Sequence, residues 1–487
     1  MNPNKTYVLD DRKDQNRLIC LVCAGSFIAN LDATIVNIAL PTLSKEFHIS
    51  PSIVSWTVLA YLLCETGFML PFGKLADIKG IKTVYQAGFI AFLIGSLLCG
   101  VSTSIAELIG SRAVQGIGGA MLFTVMMSFI PIYLPPERRA KVTGLVTTAA
   151  AVGVALGPPL GGWITAFLGW RWIFFVNLPL CLAALFATRK FIPSTFPRSA
   201  TRRFDYRGSV SSFGALIFFL YAVNMGREHG WNSPIILSSF ALSLVLAMAF
   251  ILRQLRIDHP LIDLRLFKDK VMLLSLLSFS ASLMTVGGVL YLFPFYLEEY
   301  RKLGTHEAGM IVMLVSLGQF IGPCTGKLSE RFGTRRLCII GMLLGLGSFI
   351  LFLQFDFLTS VAFIVISLGL FGLSQGLSKS PNVTLILGRA QPGSSNTVSS
   401  IMSVCRSLST ALGILFFETI FSDSVPHHIS TRNLPLHAGI THLSQLVPGF
   451  QNAFFFGAFI SLLAIILMLS TRKVPPPTGL QGSNTVV

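Results

Sequence analysis

The sequence has 487 residues, 53% of them hydrophobic and only 12% charged, with a mean hydropathy of +0.71. A soluble domain carries roughly a quarter charged residues, so this chain cannot cover itself with polar surface, and disorder, a fibrous protein and a secreted disulfide scaffold are excluded. It reads as an all-α, polytopic integral membrane protein, whose +16 net charge is to be judged by where the cations sit rather than as a nucleic-acid footprint.

A helix crosses a bilayer with about 20 mainly apolar residues. Fourteen windows qualify: 17–40, 53–73, 83–101, 106–130, 141–165, 172–188, 208–226, 234–252, 271–297, 308–327, 337–355, 358–378, 395–420 and 450–471. Residues 1–16 ahead of them are polar. No cleavable signal peptide is read, because the first apolar run continues into a full span. The first span carries Asp32, Thr34 and Asn37, and the second Glu65. The loop after span 2 runs from Gly73 through Asp77 and Gly80 to Lys82. Span 4 holds Arg112 and Gln115. Span 5 has Gly153, Gly157 and Gly161 four residues apart on one helix face, with Pro158 and Gly162 among them. Small residues let helices approach closely, and a proline permits bending. After span 10 comes Gly326, Glu330 and Gly333, span 12 holds Gln375, and span 13 holds Arg406.

The cations test this count. Loops on one side, with both termini, carry 29 of the 37 Lys and Arg. The opposite loops carry six: Lys45, Arg171, Arg227, Arg301, Lys302 and Arg432. Arg112 and Arg406 fall inside spans. The bias predicts cytoplasmic termini and an even number of spans.

The chain also repeats itself. Gly73 recurs as Gly326 at an offset of 253, Gln115-Gly116 as Gln375-Gly376 at 260, and Leu156-Gly157 as Leu412-Gly413 at 256. Spans 1–6 therefore pair with spans 9–14, and spans 7 and 8 are an insert. The domain reading is a cytoplasmic segment 1–16, a six-helix half 17–190, an insert with flanking loops 191–270, a second half 271–471 and a cytoplasmic tail 472–487. Two related halves with a substrate site between them is a recurrent transporter plan.

These residues resemble the major facilitator superfamily, and within it the drug:proton antiporter branch with fourteen helices. The likeness is carried by Leu31 to Pro41, Gly73 to Lys82, Arg112 to Gly116, Gly153 to Gly162, and Trp170 to Pro179. The chain departs from the pattern at Ile78 and Ile81, where basic residues are usual, leaving Lys79 and Lys82. Glu330 replaces an Asp, and Leu59 stands where some members have an acid. The resemblance implies the major facilitator fold, alternating access and an antiport role for the span-5 motif Gly153, Gly157, Pro158, Gly161 and Gly162. It also implies that Arg112 influences proton transfer at the span-1 acid.

A charge at bilayer depth is costly and functional by default. Asp32, Glu65 and Arg112 are the proton-coupling candidates, with both acids expected to line a central cavity. Burial of Asp32 favours its protonated form. The alternative is a structural acid bonded to Thr34, Asn37 or a neighbouring helix. Thr34, Asn37, Gln115 and Arg406 are further polar candidates. Gly73, Asp77, Gly80, Lys82, Gly326, Glu330 and Gly333 are a gating-loop motif, in which Asp77 is expected to pair with nearby cations. Glu298, Glu299 and Glu418 lie near external span ends and read as solvated. All eight histidines read as loop residues, so no intramembrane histidine relay and no metal site is expected. The eight cysteines read as small apolar fillers, and some of the 40 Phe are expected to form an aromatic pocket.

The expected function is proton-coupled efflux of hydrophobic drugs, cationic ones included, by antiport. The alternatives are a transporter specific for one metabolite and a membrane binding or receptor protein that does not transport. No clustered catalytic set points to an enzyme. No cofactor is expected, the drive being the proton gradient. The expected partners are a small-molecule substrate, protons and the lipid bilayer, with no nucleic acid, and the protein is read as a monomer in the plasma membrane.

Overall fold

The structure is a computed structural model that describes residues 9, 11–192, 205–257, 267–356, 358–389, 395–425 and 446–471. The long loops expected at 189–207, 253–270 and 421–449 fall largely outside these residues, with five of the eight histidines. So does the tail 472–487. Backbone polar groups in a bilayer must be satisfied within the chain, and the described residues accordingly form helices and no strands.

The spanning helices are α1 (Arg12–Ile35), α2 (Pro51–Lys79), α3 (Ile81–Val101), α4 (Ile105–Met126), α5 (Pro136–Phe167), α6 (Asn177–Phe191), α7 (Tyr206–His229), α8 (Pro234–Arg256), α9 (Lys270–Phe295), α10 (Thr305–Leu317), α11 (Thr334–Phe352), α12 (Val361–Leu387), α13 (Ser395–Ser424) and α14 (Val447–Ser470). Their starts are written in the sequence. Ser50 accepts the Ile53 N–H ahead of Pro51, Ser104 and Glu107 close a capping box on α4, and Ser233 caps α8 before Pro234.

Two boundaries correct the sequence reading. Helix α1 begins at Arg12, inside the segment expected to precede the first span. Asp11 accepts the Lys13 N–H there, and Gln15 is held by the Leu9 carbonyl and by Arg138. Among the described residues, thirteen helical stretches are long and apolar enough to span. The tenth is shorter, because the chain after Leu317 tightens into a 3₁₀ turn, Gly318–Cys324, before a short helix Thr325–Phe332. A Cβ on Gly318 would lie 1.9 Å from the Gly372 carbonyl carbon, so close backbone contact shapes this break.

The repeat in the sequence is a repeat in packing. A Cβ on Gly116 of α4 would meet the Tyr61 carbonyl at 2.4 Å, and one on Gly376 of α12 the Gly318 carbonyl at 2.1 Å. Gly157 lies against Thr34 and Ile35 of α1, and Gly413 against Met284 of α9. Gly80 and Gly333 turn the two equivalent loops with φ of +87° and +83°, values open to glycine. Lys82 donates to the Arg189 and Ile192 carbonyls at the end of α6, and Arg335 to the Met468 and Leu469 carbonyls at the end of α14. Each half thus closes its last helix with a cation.

The two halves meet through α2 against α13 and α5 against α10. Helices α7 and α8 form a hairpin beside them, with α7 touching both α2 and α13. Asp205 at the start of α7 holds the hairpin together, accepting from the Gly208 N–H, Arg253 and Gln254. Burial pushes its carboxyl up, but these donors outweigh burial and hold it below the usual range. Helix α8 turns Leu237, Leu244, Val245 and Leu255 outward, as a lipid-facing helix does.

The face that carries the helix ends nearest the termini is called the terminal face here, and the opposite one the distal face. Contacts between the halves gather at the distal face. Lys45 pairs with Glu299 at 2.9 Å, and the Tyr291 hydroxyl donates to the Pro51 carbonyl at 2.9 Å. On the terminal side of α5, Thr143, Gly144, Thr147 and Thr148 are exposed. The conformation is sealed distally.

Candidate functional site

The first-span acid is completely buried and is met by three side chains from two other helices. Asp32 Oδ2 accepts from Arg112 Nη1 of α4 at 2.8 Å. Its Oδ1 accepts from Gln115 Nε2 of α4 at 2.8 Å and from Asn177 Nδ2 of α6 at 2.7 Å. Arg112 and Gln115 share a helix face, being three residues apart, and Arg112 Nη1 also donates to Gln115 Oε1 at 2.5 Å. Arg112 Nε reaches the Thr57 carbonyl of α2 at 2.9 Å, and its guanidinium lies 4.3 Å from the Tyr61 ring centroid. Gln115 Nε2 also donates to Ser96 of α3 at 2.9 Å.

The donors to Asp32 come from α4 and α6 rather than from Thr34 or Asn37, and a proton entering this site meets Arg112, Gln115 or Asn177. Arg112 Nη2 and Asn177 Oδ1 have no partner among the described residues, so the network has hydrogen-bonding capacity to spare when it rearranges.

Glu65 lies one helical turn from Tyr61 on α2 and is 1% exposed. Its carboxylate accepts from Ser407 Oγ of α13 at 2.9 Å and faces Arg406 Nη2 at 3.4 Å. Arg406 is 28% exposed, and its guanidinium stands 4.7 Å from the Phe123 ring centroid of α4. This second ion pair therefore crosses between the halves. Tyr61 lies between the two pairs, stacked on Arg112 and sharing a face with Glu65. The expectation that Asp32 and Glu65 line an open cavity is corrected: both are sealed by donors from other helices, and Arg406 is the charge left partly accessible.

Other expectations divide. Thr34 turns its hydroxyl to the carbonyl of Asn30 at 3.1 Å and faces Gly157 rather than Asp32. Asn37 sits where α1 gives way to a 3₁₀ turn, its Nδ2 3.4 Å from the Ala33 carbonyl; neither residue bonds Asp32. The span-5 glycines do pack closely. Added Cβ atoms on Gly153 and Gly161 would lie 2.6 Å from the Phe27 and Ile35 carbonyls of α1, and one on Gly162 2.5 Å from the Thr305 carbonyl of α10. The Pro158 carbonyl meets Gly309 of α10. Gly73 packs against Thr124. Asp77, Gly326 and Glu330 lie on helices, and the pairing expected of Asp77 falls outside the described side chains.

Two expectations about loops fail. Glu418 is 1% and Glu298 7% exposed, where solvated acids were expected. A π-helical turn, Tyr296–Tyr300, prolongs α9, α13 runs past its apolar window to Ser424, and neighbours cover these ends. Glu418 accepts from Ser52 and Ser422, and Glu298 from Thr305. His229 is the last residue of α7 and His306 lies in the first turn of α10, rather than in loops. Among the described residues no three His, Cys, Asp or Glu side chains converge as metal ligands would.

Sequence reasoning missed Asn177, Tyr61 and Ser407. A signal existed for Asn177, an amide inside an apolar stretch already singled out. A tyrosine and a serine in such stretches carry none.

Comparison with known proteins bears on the family and the fold. A profile of the Major Facilitator Superfamily matches residues 22–414. The riboflavin transporter RibZ of Clostridioides difficile is 30% identical over 461 residues, covering 92% of this chain and 96% of that protein. The multidrug resistance protein Stp of Mycobacterium tuberculosis is 30% identical over 414 residues, covering 84% of this chain and 76% of that one. Among solved structures, the D-xylose-proton symporter superposes with a TM-score of 0.66 at 15% identity, covering 95% of this chain and 98% of that one.

Proposed function

The chain belongs to the major facilitator superfamily, a family of membrane transporters, and on that premise we propose that it is a proton-coupled exporter of hydrophobic drugs, cationic ones included, working by antiport. The observation that carries this reading is the buried Asp32, held between Arg112, Gln115 and Asn177 from two other helices. A proton on Asp32 removes its charge and loosens its bond to Arg112, which weakens the polar tie of α1 to α4 and α6 and lets their packing shift. The cycle runs as follows. Substrate enters at the terminal face, the halves rock about the α2–α13 and α5–α10 seams to open the distal face, external protons load Asp32 as substrate leaves there, and after the halves rock back proton release at the terminal face resets the site. Glu65 and Arg406 adjust their pairing as the seam moves. The proton gradient supplies the drive without a cofactor. The protein acts as a monomer in the plasma membrane, with both termini in the cytoplasm, consistent with the cation bias of the loops.

The test is flux in reconstituted vesicles against a panel of cationic, neutral and anionic compounds, with proton release recorded on substrate addition. Wild type is expected to release protons and Asp32→Asn to release none. Equal release and transport by Asp32→Asn would remove Asp32 from the coupling role, and accumulation of substrate with the proton gradient would reverse the direction.

A second reading is a transporter for one metabolite. It is favoured by the end-to-end match to a riboflavin transporter. Riboflavin belongs in the same panel, and flux of that compound to the exclusion of the drugs would select this reading.

A further inference from the structure

The inserted hairpin has no counterpart in the repeat, and the sequence assigns it no role. Its helix α7 nevertheless reaches the distal seam between the halves. There Ser52 Oγ of α2 donates to Glu418 Oε1 of α13 at 2.5 Å, and Ser422 Oγ donates to the same oxygen at 2.7 Å. Asn224 of α7 spans the seam. Its Nδ2 lies 3.2 Å from Ser55 Oγ on α2 and 3.5 Å from Glu418 Oε2 on α13. All four groups are buried: Ser52 is 4% exposed, Ser55 0%, Asn224 2% and Glu418 1%.

The hairpin is fastened more firmly to the first half. Ser50 at the start of α2 donates to Glu228 of α7 at 2.8 Å. Phe213 of α7 packs on Gly67 and stands 5.1 Å from the Phe68 ring. When the distal face opens, α2 must leave α13, and the hairpin leaves with α2. The bonds that break are then Ser52 to Glu418 and Asn224 to Glu418. Ser422, on α13 itself, stays with Glu418, but a buried carboxylate that loses the donors from Ser52 and Asn224 without water to replace them is costly. The junction therefore favours the sealed state until water or a rearranged partner reaches Glu418.

We propose that Glu418, Ser52 and Asn224 form a lock on the distal gate, and that the inserted hairpin is a working part of that gate. These are positioning residues, which set how often the distal face opens and do not touch the substrate. The inference rests on the alternating-access reading above.

The test measures opening directly, without transport. Spin labels are placed at Leu168→Cys and Met310→Cys, exposed positions near the distal ends of α5 and α10, in full-length protein whose native cysteines are replaced. Electron–electron distances then report the sealed and open populations. Ser52→Ala is expected to raise the open-to-sealed ratio about tenfold, and Asn224→Leu, which keeps the volume, several-fold. Ser52→Thr restores the hydroxyl and is expected to match wild type, which a merely structural role would not demand. The thermal midpoints of Asn224→Leu and Ser52→Thr should stay near wild type. A second distance in wild type that Asn224→Leu leaves unchanged overturns the hairpin's part in the lock. Absence of a second distance in every variant, with or without substrate, overturns both the lock and the alternating-access reading.

Discussion

The two halves place different chemistry at the same point of the same scaffold. In the first half, where α1, α4 and α6 converge, Asp32 and Arg112 form a charged pair bridged by Gln115, and Asn177 donates to Asp32. In the second half Gln375 occupies the place of Gln115, and its partner is the hydroxyl of Ser282 at 3.0 Å. Around it Thr285, Ser374, Ser378 and Ser461 line a small cavity. The glycine contacts that bring the helices together are alike in both halves. Close packing therefore needs no charge, and burying a charged pair carries a desolvation penalty of several kcal/mol per ion. The first half carries that penalty where the second shows that neutral groups suffice, which points to use rather than to architecture.

The comparison breaks most visibly if charge is not the difference that matters. Asp32→Asn leaves Arg112 buried without a counter-charge, a loss of about 3–5 kcal/mol for such pairs. Gradient-driven transport is expected to fall to background and the thermal midpoint in detergent to drop. Gln375→Leu at the mirror position removes one neutral hydrogen bond, worth about 1 kcal/mol, and is expected to keep most coupled transport. Equal loss in the two variants would show that the halves share the coupling task.

The next largest effect concerns the duplicated glycines. An alanine methyl at Gly413 would stand 2.1 Å from the Met284 carbonyl, which is backbone. At Gly157 the nearest atom is the Thr34 hydroxyl, 2.0 Å away, a side chain that can turn. Overpacking costs about 1–3 kcal/mol, so Gly413→Ala should lower the melting temperature more than Gly157→Ala does. The reverse order would mean that α1 yields less readily than α9.

Across the seam, the Glu65–Arg406 pair is longer and Arg406 is partly exposed, so screening reduces its worth to about 1 kcal/mol or less. Arg406→Gln is expected to change the ratio of open to sealed protein modestly, read by thiol labelling at the distal face, and to leave the melting temperature within a few degrees. A collapse of folding instead would make this pair a structural tie.

The smallest effects test the equivalence itself. Lys82→Met and Arg335→Met each remove a cation from a helix C-terminus, worth about 0.3–1 kcal/mol. Matching losses of thermal stability are expected, and a large effect from one alone would break the symmetry of the loops.

Much of this molecule was legible before folding. The count of spans followed from apolar length, and the cation bias checked it independently. The repeat offsets named glycines that turned out to make equivalent backbone contacts. Asp32, Arg112 and Gln115 were singled out by one physical argument, the cost of polar groups in lipid, and they proved to touch one another. Glu65 and Arg406 were found separately by the same argument, but nothing in the sequence paired them, since 341 positions separate them. Glu418 was misjudged because nearness to a span end was taken for nearness to water, and packing against Ser52 and Asn224 decided otherwise.

Composition, spacing and charge alone thus predicted fourteen spans in two related halves, because hydrophobic length and cation bias act locally along the chain, and thirteen helices among the described residues are long and apolar enough to cross. The tertiary structure alone decided which buried charges meet, that Asp32 is met by donors from α4 and α6, and that α7 bridges the distal seam. Those facts depend on distances between helices, which the order of residues within each helix does not contain.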